Sequence, residues 1–300
     1  MSEPWDDVEW SHLIHASGSA ADVPERFGHW VGSDARKKLD AENYLRNVAF
    51  GCGMWPASAP IVAAFVGLLD DPRLEDFDVH SQLLFVDRIA QSCDMTRDFA
   101  STRAVLAGRV DEIQAAWSDA YAAAEYGELE RLREDGTGVH DLVHAQSELA
   151  CLALVPGLVE TVLSFLDDPR IVWHGWLAAT LATLSRHPLV VDRRPVLATR
   201  VEQMTRAATR DGEVATCLIA LGDLGGDTRP WLDSPHRGIR ASAAMAESLT
   251  GDATAAEILR VLSEEPGGYL ASFDKGFATP AQFMTGRDPL AEAIARLDRY

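Results

Sequence analysis

What this 300-residue chain has least of is positive charge: 27 Lys and Arg stand against 46 Asp and Glu, for a formal net charge of −19. A field of that sign repels phosphate backbones and anionic headgroups, and binding to DNA or RNA by counterion release needs a basic face. The densest basic spots are Arg36-Lys37-Lys38, Arg193-Arg194 and Arg206 to Arg210. Each lies beside acids or on a helix that needs a polar face, so solvated surface is expected, with neither nucleic acid nor membrane as partner. Cysteine is scarce too. Cys52, Cys93, Cys151 and Cys217 lie tens of residues apart with no CxxC pair, which excludes a disulfide framework and fits buried, reduced thiols. No apolar run is long enough to span a bilayer, and the acidic start Met1-Ser2-Glu3-Pro4-Trp5-Asp6-Asp7 has no signal-like apolar core, so a cytoplasmic protein is expected. Nucleophile-elbow and phosphate-loop motifs are missing, and no cofactor is expected.

What the chain does have is apolar material, 47% of its residues, with little period-two alternation. Helix is therefore favoured over sheet throughout. A short turn recurs: Leu69-Asp70-Asp71-Pro72-Arg73, Leu166-Asp167-Asp168-Pro169-Arg170 and, more loosely, Leu232-Asp233-Ser234-Pro235-His236. Each copy follows or opens an apolar helical run, the punctuation of stacked helical hairpins, with Asp71 and Asp168 expected to cap the helices that follow them. The spacing predicts helices over Val8 to His15, from Asp22 with Glu25 completing a capping box, from Ser33-Asp34 to Phe50, over Ala57 to Leu69, and over His80 to Ala90. A polar stretch from Asp94 to Thr102 reads as a loop. Further helices are expected from Ala104 to Glu134, then over Asp141 to Val155, Pro156 to Leu166, Val172 to Leu184, Arg194 to Arg210, Glu213 to Leu221, Pro235 to Leu249, Ala253 to Leu262 and Pro289 to Asp298. One domain spanning 1–300 is expected, with a soft division near 135–140.

Trp10 to Glu25, read as WSHLIHASGSAADVPE, resembles the opening of a set of actinobacterial HEAT-like proteins. Their Leu-x-His-Ala-x-Gly-Ser-Ala-x-Asp-Val-Pro segment comes first. Further matches are Ala57 to Val62, Ala120 to Ala123 and Leu232 to Leu249. The chain departs from that group at Gly51-Cys52-Gly53-Met54, where relatives carry a His-Gln-Gly segment. The resemblance implies an all-α solenoid, a superhelix of stacked antiparallel helical hairpins, and no assigned reaction. HEAT-like hydroxylases hold iron with repeated His-Glu dipeptides, and this chain has none.

No constellation here singles out a catalytic residue. His140 and His144, four apart near Glu148, are the weak metal candidates, whereas His12 and His15 are expected to pack. Asp70-Asp71 and Asp167-Asp168 lack the oxygen count of a calcium loop, and turn punctuation explains them. Of eight tryptophans, Trp117 and Trp176 fall on apolar helical faces. Trp5, Trp30, Trp55, Trp173 and Trp231 lie nearer helix ends or turns, where an indole can anchor a partner, and are the candidate binding residues. The function expected is a non-enzymatic protein-binding scaffold or adaptor, of immunity type in its concrete version, engaging a basic protein through an acidic surface. The alternatives are a helical-repeat DNA glycosylase-like enzyme, disfavoured by charge, and a metal-dependent enzyme, disfavoured by the missing His-Glu dipeptides.

Overall fold

The protein is described by a computed structural model covering residues 2–51, 53–95, 98–113, 115, 138–171, 174–264, 268–273 and 288–297. It is all-α: among the described residues the only sheet is a two-stranded hairpin. No single described helix is long and apolar enough to cross a membrane. The residues group into two compact units, Met1–Thr161 and Val162–Tyr300. Of the stretch near 135–140 where a soft division was expected, 135–137 lie outside the described residues, as does most of the helix expected from Ala104 to Glu134.

The first unit begins differently from its expected helix. Trp10–His12 makes one 3-10 turn, and β1 (Ile14–His15) then pairs with β2 (Gly18–Ser19). The His15 ring folds under the turn and its Nδ1 accepts the Ser17 N–H at 3.0 Å, a bond that an α-helix through His15 would not allow. Next come α1 (Val23–Trp30), α2 (Ala35–Phe50), α3 (Ser58–Gly67), α4 (Asp76–Ser92), α5 (Phe99–Ala107) and α6 (Val139–Ala153). Pro24 opens α1, and the Asp34 carboxylate caps α2 by accepting from the Arg36 and Lys37 N–H groups. The helix expected over His80 to Ala90 is present as α4 but starts four residues earlier, and α5 begins inside the stretch read as a loop, both for the same reason. Acidic residues read as loop, yet Glu75 and Asp78 form a reciprocal capping box that starts α4 at Asp76, and Asp98 caps α5. Phe27, Trp30, Phe65 and Phe85, all buried, form the aromatic centre of this unit where α1, α3 and α4 meet.

α7 (Val155–Phe165) leads into the second unit, which holds α8 (His174–Leu184), α9 (Arg194–Ala207), α10 (Asp211–Asp223), α11 (Arg237–Ala244), α12 (Ala253–Glu264), the short α13 (Gly268–Ala271) and α14 (Pro289–Leu297). Helices near in sequence pack together: α8 on α9 and α10, α9 on α10, α10 on α11, α11 on α12, and α12 on α14. Gly225, at φ +82°, ends α10. The Gly226 N–H reaches Leu221 O and the Gly225 N–H reaches Gly222 O, the paired bonds of a Schellman cap.

The recurring turn has one geometry and a corrected role. Asp71 accepts the Arg73 N–H at 2.8 Å and Asp168 the Arg170 N–H at 2.9 Å, and each carboxylate also grips the guanidinium of that same arginine. Neither caps the following helix, because its acceptors are spent two residues downstream. The third copy keeps the pattern with a hydroxyl: Ser234 Oγ accepts the His236 N–H at 3.3 Å. Arg73 is further shared with Glu3, which ties the N-terminal segment to this corner. The arginine contacts, ahead of the backbone bond, hold Asp71 and Asp168 below the usual carboxylate range. Asp168→Ala is expected to cost about 1 kcal/mol. Asp168→Ser, which restores the acceptor seen at Ser234, should recover part of it. Urea unfolding of the two variants checks this, and identical losses would show that the backbone bond contributes nothing.

Candidate functional site

The first unit gathers its two histidine candidates beside the segment that joins α2 to α3. His140 and His144 lie one turn apart on α6 with their Nε2 atoms 3.0 Å from each other. His144 Nδ1 lies 2.6 Å from Met54 O. A carbonyl only accepts, so Nδ1 carries the proton and Nε2 presents its lone pair towards His140. His140 Nδ1 in turn lies 3.6 Å from Asp141 Oδ1. The Trp55 ring meets both imidazoles edgewise, with centroids 4.5 Å from His144 and 5.9 Å from His140.

That joining segment is itself firmly held. The Ser58 hydroxyl donates to Ala49 O and accepts the Trp55 N–H, while the Trp55 indole N–H donates to Gly51 O. Gly53 has φ +125°, and a Cβ there would lie 2.9 Å from the His144 ring, so only glycine satisfies both backbone and approach. An open pocket of about 400 Å³ borders the pair, lined also by Ser92, Ala145 and Glu148. Glu148 accepts the Asp94 N–H at 2.8 Å. Among the described residues no group of three or more His, Cys, Asp and Glu converges as a metal centre.

A second polar cluster lies under the N-terminal hairpin. Because His15 Nδ1 accepts from Ser17, the neutral ring carries its proton on Nε2, which donates to Tyr44 Oη at 3.0 Å. Asp22 Oδ1 lies 3.6 Å from that Nε2, and Arg26 stacks on the Tyr44 face at 4.5 Å. Asp22 was expected to cap α1, but its side chain makes no cap and faces this cluster instead. Burial, with Asp22 adding to it, raises the Tyr44 phenol, and burial lowers His15 despite the opposing pull of Asp22. The arrangement holds the hairpin on α1, through Asp22 and Arg26, and on α2, through Tyr44.

The lowered His15 has a pH consequence. The unfolded imidazole takes a proton near pH 6.5 and the folded one only at lower pH, so its contribution is whole above about pH 6.5 and lost as pH falls below it. His187, also lowered by burial, works in the same direction. Denaturation midpoints measured from pH 7.5 down to 5.5 are expected to fall, and to fall less steeply in a His15→Gln, His187→Gln double variant.

In the second unit a pocket of about 440 Å³ is lined by the Asp167-Asp168-Pro169 corner, Arg200, His174, Glu213 and Cys217. Arg200 pairs with Asp167, and Glu213 accepts the His174 N–H at 3.0 Å, which starts α8. Burial pushes the Cys217 thiol up to about 12, so it stays protonated and is no nucleophile.

The tryptophans largely change place. Trp5, Trp30 and Trp55 are only 6, 0 and 5% exposed, and so they are core residues in place of the anchors expected. Trp5 stacks on Phe27 at 5.0 Å, Trp30 meets Phe65 edge-on, and Trp55 braces the histidines. A place near a helix end does not by itself expose an indole: the Trp55 N–H is met by Gly51 O, and the Trp5 and Trp30 rings are met by Phe27 and Phe65. Trp231 is half-buried with Arg206 over its ring at 5.3 Å, and Trp173 lies outside the described residues. The signal for the histidine pocket was present as the His-x-x-x-His spacing, whereas the roles of Gly53, Met54 and Trp55 had none. Comparison with family models, with curated proteins and with solved structures finds no match for this chain.

Proposed function

We propose that the chain is a non-enzymatic, HEAT-like protein-binding scaffold whose acidic surface takes a partner with a basic face. The observation that carries this reading is where the basic side chains go. Lys38, Arg46, Arg73, Arg109, Arg170, Arg186, Arg200, Arg206, Arg229 and Arg260 each lie against a carboxylate of their own unit. Lys38, expected at the solvated surface, instead bonds Asp78. Ten of the 27 bases are paired in this way, and the excess of 46 acids over 27 bases leaves carboxylates such as Asp141 and Asp167, 91 and 76% exposed, facing solvent. Such a surface steers basic proteins towards it and disfavours nucleic acid and anionic membranes.

The recurring corner, with equivalent side-chain bonds at Asp71, Asp168 and Ser234, supports a stack of related hairpins. So does the packing of α8 to α12 on near neighbours in sequence. The buried free thiols of Cys151 and Cys217, and the buried Cys93, support a reducing, cytoplasmic setting. An immobilised chain incubated with native extract at low salt, then eluted with rising salt, tests the reading. Partners are expected to be basic and to leave as screening grows. Partners of no particular charge, or salt-resistant retention of nucleic acid, would overturn it.

A further inference from the structure

We propose that His140 and His144 form a two-imidazole chelate for a borderline divalent cation of the nickel, copper or zinc class, with solvent completing its coordination. Residues four apart on a helix share a face, and a helix holds that face rigid. Two imidazoles bound to one tetrahedral ion at about 2.0–2.1 Å per bond stand about 3.3 Å apart at nitrogen. The observed Nε2 to Nε2 separation of 3.0 Å is a few tenths of an ångström from that.

The proton positions point the same way. His144 donates Nδ1–H to Met54 O, the carbonyl-backed arrangement that fixes a ligand histidine's tautomer and aims its Nε2 lone pair at the ion. Asp141, 3.6 Å from His140 Nδ1, offers the carboxylate-backed version of the same device. In the metal-free pair, one Nε2 proton lies between the two nitrogens. On binding, His140 moves its proton from Nε2 to Nδ1, facing Asp141, and both lone pairs go to the cation. No net proton is released from the neutral pair.

The surroundings are built for such a pair. Gly53 lets the chain approach His144 where any side chain would collide, and the Trp55 edge restrains both rings. The open side faces the pocket of about 400 Å³, which leaves room for water ligands. With no third His, Cys, Asp or Glu joining among the described residues, the site resembles an open, exchangeable one more than a closed structural one. Nitrogen donors favour nickel, copper and zinc over manganese and exclude magnesium.

Calorimetric titration of tag-free, full-length protein with nickel, zinc and magnesium chlorides tests this. Nickel and zinc are expected to bind one to one, magnesium not at all, and His140→Ala to weaken both by about tenfold or more. Gly53→Ala, which removes no ligand, should weaken binding as well by displacing His144. In case the variants fold poorly, proton NMR of the wild type with zinc should shift the imidazole resonances of two histidines out of nine. Absence of saturable binding at millimolar nickel and zinc would overturn the proposal. So would affinity unchanged in folded His140→Ala, or imidazole shifts at other histidines.

Discussion

Phe65→Ala is expected to lower the stability of the first unit by about 3–5 kcal/mol, the range for truncating a fully buried aromatic ring. Phe65 has no exposed surface, and it is the ring that the other aromatics share. Phe85 stacks on it at 3.8 Å, Phe27 meets it edgewise at 5.0 Å and Trp30 at 5.7 Å. Those neighbours come from α1 and α4, so the cavity left by truncation would open between three helices. Collapse is resisted because the neighbours are large, rigid and anchored: Trp5 stacks on Phe27 from the other side, and the Trp10 indole donates to Trp5 O. Edge-to-face pairs contribute about 0.5–1.5 kcal/mol beyond area, so Phe65→Leu should still cost measurably while costing less than alanine. Urea unfolding followed by far-UV circular dichroism checks both variants. An alanine loss under about 1 kcal/mol would mean the site collapses freely, against close packing of the three helices.

The sequence makes the helical class legible, and the long periodic helices most of all. α2, α7, α9 and α12 start within a residue or two of their expected positions, since Asp34 for α2 and apolar spacing for the rest act locally. What stayed hidden depends on contacts far along the chain. Asp78 looks like part of an acidic loop until Lys38, forty residues earlier, arrives to neutralise it. Asp22 has the right neighbours for a cap, but His15 and Arg26 compete for its carboxylate, and the helix starts without it. For the histidine site, helical spacing places His140 and His144 on one face. Only the fold can bring up Met54 O, ninety residues earlier, to set the tautomer. The Asp-Pro-Arg corner lies between these cases: its recurrence is plain in the sequence, while its bonding is side chain to backbone within the turn, a local competitor to helix capping.

Asp78→Ala is expected to destabilise the first unit by about 3–5 kcal/mol, because it removes one partner of a buried ion pair and leaves the other behind. Asp78 is 6% exposed and Lys38 18%, with Nζ to Oδ2 at 2.5 Å. The same Oδ2 accepts the Glu75 N–H at 2.8 Å, so the substitution also undoes half of the capping box that starts α4. Two further variants separate these roles. Asp78→Asn keeps an acceptor for Glu75 but no charge for Lys38, and Lys38→Met removes the cation, with its place 5.8 Å over the Trp30 ring, while leaving the cap. Lys38→Met is therefore expected to cost least, since the remaining carboxylate keeps its backbone donor. If the ion pair dominates, Asp78→Asn should approach Asp78→Ala, and adding Lys38→Met to either should recover stability by removing the stranded ammonium. If the cap dominates, Asp78→Asn should stay near wild type and the second substitution should change little. Equal, additive losses across the double-mutant cycle would mean that Lys38 reaches water unaided, and the acid-rich start of α4 would then owe its position to capping alone.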